Sequence, residues 1–183
     1  MTNQPIAVYG SSKVQPHEED YLAACAVGSV LAENGYTVMT GGYSGIMEAA
    51  SKGAAEAGGQ AIGVTAGSIE RYRNGTVNAW VTKEIRQETL RERILYLILE
   101  PAAYVVMPGG TGTLNELITA WELVRVGDIP KRPIICYGEY WKNMLATMQK
   151  SPYLAADAWE LLDFAEAPQE IVDILQIKMK VKS

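Results

Sequence analysis

Seven short apolar runs punctuate this chain, with helical stretches between them. They read as strands at 5–10 (PIAVYG), 36–42 (YTVMTGG), 61–65 (AIGVT), 79–85 (AWVTKEI), 103–107 (AYVVM), 132–138 (RPIICYG) and 159–164 (WELLDF). The runs lack the polar alternation of a strand with one wet face, so they belong in a parallel sheet covered on both sides. Helices are expected over 17–35, 45–59, 87–100, 113–126, 140–150 and 168–180. The first of these has acids in its first turn and Gly35 at its close, a matched start and stop. The stretch 66–79 reads as a loop. Strands separated by helices predict a doubly wound, Rossmann-like α/β fold with helices on both faces, one domain spanning residues 1–183.

Composition narrows the partners. With 183 residues, 48% of them hydrophobic, the chain can bury one sizeable core, and its net charge of −5 gives no basic field for a nucleic acid. The opening MTNQPIAVYG has no basic segment followed by a long apolar one, so no secretory leader is expected. The most apolar helical stretch, ILYLILEPAAYVVM, is interrupted by Glu100 and Pro101, which argues against a membrane partner. Cys25 and Cys136 sit among apolar residues with no metal-ligand spacing. They read as buried thiols of a cytoplasmic protein, and no metal site is expected.

Three strands end in unusual loops: YGSSK (9–13), TGGYSG (40–45) and PGGTGT (108–113). In a parallel sheet all three fall on one edge, the carboxyl edge, where ligands of open α/β sheets bind. Glycines admit a ligand close to the backbone, and a helix N-terminus offers free N–H groups, a combination suited to phosphate. The signature GxxxxGK[ST] is absent. GGTGTL lacks the last glycine of GxGxxG, and no acid ends the next strand where a dinucleotide ribose would need one.

Thr113-Leu-Asn-Glu116 has the form of a capping box, which would explain Glu116 without function. Capping does not explain Pro108, Gly109, Gly110 and Gly112. Glu116 also lies away from the apolar stripe of Leu114, Leu117, Ile118 and Trp121 and leans back over the loop, as a carboxylate above a phosphate pocket would. Arg93 falls at the edge of the stripe Leu90, Ile94 and Leu97, where a solvated residue is the plain expectation. His17 has no His, Asp or Cys partner nearby and reads as exposed. The Arg71-Tyr72-Arg73 run reads as exposed loop, with anion binding as the other option.

The segment PGGTGTLNE (108–116) fits the P-G-G-x-G-T-x-x-E motif, and here the chain resembles the LOG family, the cytokinin riboside 5′-monophosphate phosphoribohydrolases. AVYGSS, GGYSGIMEAASKGA and GGQAIGVTAG resemble further segments of that family, and Arg93 in RERIL stands 23 residues before Glu116, the spacing of the family's catalytic pair. The resemblance implies hydrolysis of the N-glycosidic bond of a nucleoside 5′-monophosphate, with neither metal nor cofactor. By it, Glu116 stabilises a cation-like sugar or directs a water, and Arg93 positions the nucleotide and steadies the carboxylate. Gly109, Gly110, Thr111, Gly112 and Thr113 would hold the 5′-phosphate, with Ser12, Gly41, Gly42 and Gly45 lining the sugar or base side. A homodimer or larger homo-oligomer follows by the same analogy. The chain departs from the family at Glu48, Ile94 and Ala102, where substrate shape is read. The competing expectation is a non-catalytic carrier of a nucleotide or of molybdenum cofactor on the same scaffold.

Overall fold

In the computed structural model, which describes residues 4–73 and 76–180, the strands form one seven-stranded sheet, parallel throughout. In chain order they are β1 (Pro5–Tyr9), β2 (Thr37–Thr40), β3 (Ala61–Ala66), β4 (Lys83–Gln87), β5 (Ala103–Val106), β6 (Ile134–Tyr137) and β7 (Leu162–Ala165). Their order across the sheet is β4-β3-β2-β1-β5-β6-β7. The chain builds outward from β1 to one side, then returns to lay β5 against the other side of β1. That reversal opens the crevice in which doubly wound folds bind ligands.

The helices are α1 (Glu19–Glu33), α2 (Ile46–Glu56), α3 (Gly67–Arg73), α4 (Leu90–Leu99), α5 (Thr111–Arg125), α6 (Glu139–Gln149), α7 (Ala156–Trp159) and α8 (Pro168–Lys180). The central strands feed two cores by simple alternation. Ile6 and Val8 of β1, with Ala103 and Val105 of β5, face the layer that includes α1, α2 and α8. Ala7, Tyr9, Tyr104 and Val106 face α4, α5, α6 and α7. Burial on both faces removes the polar alternation, which is why these strands read as plain apolar runs. Among the described residues no helix is long and apolar enough to cross a membrane.

Four local expectations need correction. Residues 67–73 form α3 where a loop was expected, since GSIERYR contains no breaker after Gly67; Asn74 and Gly75 lie outside the described residues. The fourth strand begins at Lys83 rather than at residue 79. As an edge strand it needs only one hydrogen-bonded side and one dry contact, so KEIRQ suffices, while Val81 packs beneath Gly63 just before it. Ala156–Trp159 is a short helix, and β7 starts only at Leu162. Helix α5 begins at Thr111, two residues before the expected start, which changes the reading of Glu116.

Candidate functional site

Because β2, β1 and β5 are neighbours, their three glycine loops meet at the carboxyl edge. Backbone bonds stitch them together. Ser11 N–H donates to the Pro108 carbonyl at 3.0 Å, Ile46 N–H to the Ser11 carbonyl at 2.9 Å, and Met107 N–H to the Tyr9 carbonyl at 2.9 Å. Ser44 Oγ donates to the Ser12 carbonyl at 3.1 Å, placing half-buried Ser12 against the second loop. Gly45, with φ of +71°, packs so closely on Ser11 and Ser12 that any Cβ would collide with their backbone.

The glycines at this edge divide into two kinds. Gly41 faces the Arg93 guanidinium, Gly42 faces Thr65 and Gly63, and Gly109 faces the Thr113 side chain, so this chain's own atoms use the space beside each. Gly110 and Gly112 differ: no described atom lies within 4 Å of where a Cβ would stand. Gly110 is the N-cap of α5 and Gly112 its second residue. The first N–H groups of a helix have no partner inside it, and those of Thr111, Gly112 and Thr113 meet none in another described residue. The result is a half-cup of donors at the positive end of a 15-residue helix, open to solvent.

The capping box at Thr113 and Glu116 does not form. With Gly110 as N-cap, Thr113 is already the third helical residue and is buried against Gly109, and no side chain caps the helix. The same T-x-x-E pattern does form a box one helix earlier. There Thr89 N–H donates to Glu92 Oε2 at 2.9 Å and Glu92 N–H to Thr89 Oγ1 at 3.2 Å. That box fixes the start of α4, and Arg93 is the next residue.

Arg93 is 6% exposed, against the expectation of a solvated helix edge. Its Nε donates to the Val64 carbonyl at 2.7 Å and its Nη2 to the Gly41 carbonyl at 3.1 Å. The Tyr43 ring lies 5.5 Å from the guanidinium carbon, and Nη1 faces Glu116 Oε1 at 3.9 Å. That last separation is an electrostatic contact, too long for a hydrogen bond. The Glu116 side chain is 12% exposed, and burial raises its pKa to about 7 despite the opposing pull of Arg93. Tyr9 lies fully buried on the same side of the sheet, its phenol pKa raised by burial and then by Glu116, and its hydroxyl donates to the Leu97 carbonyl at 2.6 Å. The chain thus holds a carboxyl group balanced between its two protonation states at neutral pH, beside a fixed cation and an open donor cup.

Residues 3–158 match the SLOG cluster4 family. This chain belongs to that family. An uncharacterized protein of Archaeoglobus fulgidus is 30% identical over 134 residues, covering 73% of this chain and 83% of that one. A Mycobacterium tuberculosis protein named cytokinin riboside 5′-monophosphate phosphoribohydrolase is 33% identical over 117 residues, covering 63% of this chain and 61% of that one. The match therefore spans about three-fifths of that relative's length. Among solved structures, the molybdenum cofactor binding protein of Rippkaea orientalis superposes with a TM-score of 0.76 at 22% identity, covering 98% of this chain and 99% of that one. At that identity the likeness is one of fold.

In this SLOG cluster4 protein the structure brings Ser12, Gly41, Gly42, Gly45, Gly109 to Thr113, Arg93 and Glu116 to one edge of the sheet. His17 stands exposed and apart. Among the described residues, no group of three or more His, Cys, Asp or Glu side chains is arranged to hold a metal. Sequence reading missed Tyr43, whose ring flanks Arg93 and whose hydroxyl accepts from Ala66 N–H at 2.9 Å. An aromatic interrupting a glycine loop was the available signal.

The raised carboxyl has a thermodynamic signature. Folded Glu116 holds its proton more tightly than the unfolded chain does, so its contribution to stability is greatest below pH 4.5 and is lost as pH rises towards 7. Wild type should lose about 3 kcal/mol relative to Glu116→Gln across that window. Urea unfolding of both proteins at pH 4.5 and pH 8 measures it; parallel pH dependences would mean that Glu116 titrates as an exposed acid.

Proposed function

We propose that this protein hydrolyses the N-glycosidic bond of a nucleoside 5′-monophosphate, releasing the free base and ribose 5-phosphate. The observation that carries this reading is Glu116: a buried acid that caps nothing, held 3.9 Å from Arg93 on the helix whose first residues form the donor cup. Its chemistry suits the reaction. As the C1′–N bond breaks, the sugar takes on oxocarbenium character, which a carboxylate on its open face stabilises. A water then adds its hydroxyl to C1′ and gives its other proton to Glu116; that proton passes on through solvent to the departing base, and the carboxylate is regenerated. Arg93, a permanent cation, holds the carboxylate and the nucleotide in register and donates no proton to the base. The 5′-phosphate would lie on the N–H groups of Gly110, Thr111, Gly112 and Thr113, with Ser12 and the 41–45 loop beside the sugar or base. Support also comes from the name of the mycobacterial relative, which suggests an N6-substituted AMP as the finer substrate.

The test is base release from a panel of nucleoside 5′-monophosphates, including AMP and N6-prenylated AMP, beside the unphosphorylated nucleosides. Turnover that needs the phosphate supports the reading; intact nucleotides after long incubation would overturn it. The second reading, a non-catalytic carrier of a nucleotide or of molybdenum cofactor, draws support from the end-to-end likeness to the Rippkaea orientalis protein. A carrier should emerge from purification with its ligand bound and unchanged, visible by absorbance. The Arg93–Glu116 pair beside the glycine loops and the name of the mycobacterial relative rank the hydrolase first.

Gly112→Ala separates fold from site. Nothing described occupies the space its methyl would enter, and alanine is a better helix former, so stability should rise by up to about 1 kcal/mol. A phosphate on the cup would meet that methyl, and affinity for a 5′-monophosphate should fall about tenfold or more, as when a charge-assisted hydrogen bond is lost. Calorimetric titration and thermal unfolding of the same sample read both. Unchanged affinity would move the phosphate elsewhere. A homo-oligomer is part of the proposal: Leu95 and Leu99, one turn apart on α4 and 40% and 42% exposed, leave an apolar edge that a second copy would cover.

A further inference from the structure

The donor cup faces outward only if the peptide planes of its loop are turned the right way, and four consecutive carbonyls show how that is done. The Met107 carbonyl accepts from Trp141 Nε1 at 3.0 Å, and the Pro108 carbonyl from Ser11 N–H at 3.0 Å. The Gly109 carbonyl accepts from Tyr140 Oη at 2.8 Å, and the Gly110 carbonyl from Leu114 N–H at 2.9 Å. Each peptide here is trans, so fixing the carbonyl of Pro108, Gly109 or Gly110 fixes the N–H of the next residue in the opposite direction. The Met107 anchor precedes a proline, which has no N–H, and fixes the entry to the loop. Three of the four anchors are backbone amides or a fully buried tryptophan. The fourth, Tyr140, is 40% exposed, and it holds the one plane that lies between two glycines. That plane has the least steric resistance to turning over.

We propose that Tyr140 is a positioning residue of the phosphate cup: its hydroxyl locks the Gly109–Gly110 peptide so that the Gly110 N–H points at the ligand. The inference rests on the reading of the cup as a phosphate site. Tyr140 suits the task because it is itself held. It is the second residue of α6, which leaves β6 through Gly138 at φ +75°, and its ring packs edge-on against Trp141 with centroids 5.0 Å apart. Tyr140 needs no contact with the ligand to act. Without its hydroxyl the Gly109 carbonyl bonds water, and the plane turns freely; the cup then loses a donor in part of the population.

Tyr140→Phe removes only the oxygen. Calorimetric titration with ribose 5-phosphate, with ribose as the unphosphorylated control, compares it with wild type. Its Kd for ribose 5-phosphate should rise about five- to tenfold, as for one lost hydrogen bond. KM for a nucleoside 5′-monophosphate should rise by the same factor, kcat should stay within about twofold, and the midpoint of thermal unfolding should not move. Tyr140→Leu, which also removes the ring, should show the same loss of affinity with a lowered midpoint. If Tyr140→Phe binds ribose 5-phosphate as tightly as wild type, or lowers kcat with KM unchanged, the positioning role is wrong and the cup reading stands. If wild type itself shows no preference for ribose 5-phosphate over ribose, both fall.

Discussion

Glu116→Gln should lower kcat for nucleoside 5′-monophosphate hydrolysis by about a thousandfold, the scale seen when one preorganised electrostatic group is removed from an active site. KM should stay level or fall. The amide keeps the shape of the side chain and its place 3.9 Å from Arg93, so binding is preserved. It carries no charge to set against an oxocarbenium-like sugar and accepts no proton from water. The substitution also discriminates cleanly, because glutamine keeps the size and hydrogen-bonding capacity that a purely structural role would require. A Gln variant with full activity would return Glu116 to a purely structural role and remove the main support for a hydrolase. Stability guards against a trivial loss: the variant should remain folded at pH 8 in urea unfolding, since Arg93 keeps its bonds to the Val64 and Gly41 carbonyls.

Arg93→Met should be the most destabilising single change at the site, and its effect should depend on pH. At pH 8 Glu116 is largely ionised, and removing its cation strands a buried carboxylate, a loss of about 3–5 kcal/mol for a broken buried pair. At pH 5 Glu116 already holds its proton. What remains is the loss of donors to the Val64 and Gly41 carbonyls, about 1–3 kcal/mol. Urea unfolding at the two pH values gives the difference, and an equal loss at both would show that the two residues are not coupled. Arg93→Lys should recover only part of the stability, because a single ammonium cannot span both carbonyls as the guanidinium fork does. Activity should remain low in either variant, as the carboxylate loses its fixed partner.

Much of this was legible in the sequence, and the failures share a cause. Buried parallel strands advertise themselves because both faces are apolar, so β1, β2, β3, β5 and β6 were found within a residue or two. The glycine loops marked the carboxyl edge because nothing else in a chain explains such density after three strands. What the sequence could not reveal was where charge would be buried. Arg93 sits in LRERIL like any solvated helix residue; its burial is made tolerable by partners distant in sequence, among them the Gly41 and Val64 carbonyls, 52 and 29 positions away. The T-x-x-E pattern occurs at 89–92, at 113–116 and again at 119–122, and local sequence gives no means of choosing. Gly110 decided the matter by ending the loop early. Tyr140 stayed hidden because its role lies in a bond to a carbonyl 31 residues back.

The strand order has a bearing on how the chain comes to this state. Strand β1 pairs with β2 after one short crossover, but its other edge waits for β5, nearly a hundred residues further along. Until then the middle strand of the sheet is an open edge, apolar on both sides, of the kind that invites pairing between chains. Arg93 is synthesised before that gap closes and Glu116 after it. The cation can reach Val64 and Gly41 while only the first half is folded, yet it meets its carboxylate only once β5 has docked and α5 has been laid down. Assembly of the Arg93–Glu116 pair is therefore a late event, and a chain that stalls before the second half arrives has the glycine loops of β1 and β2 but nothing with which to do chemistry.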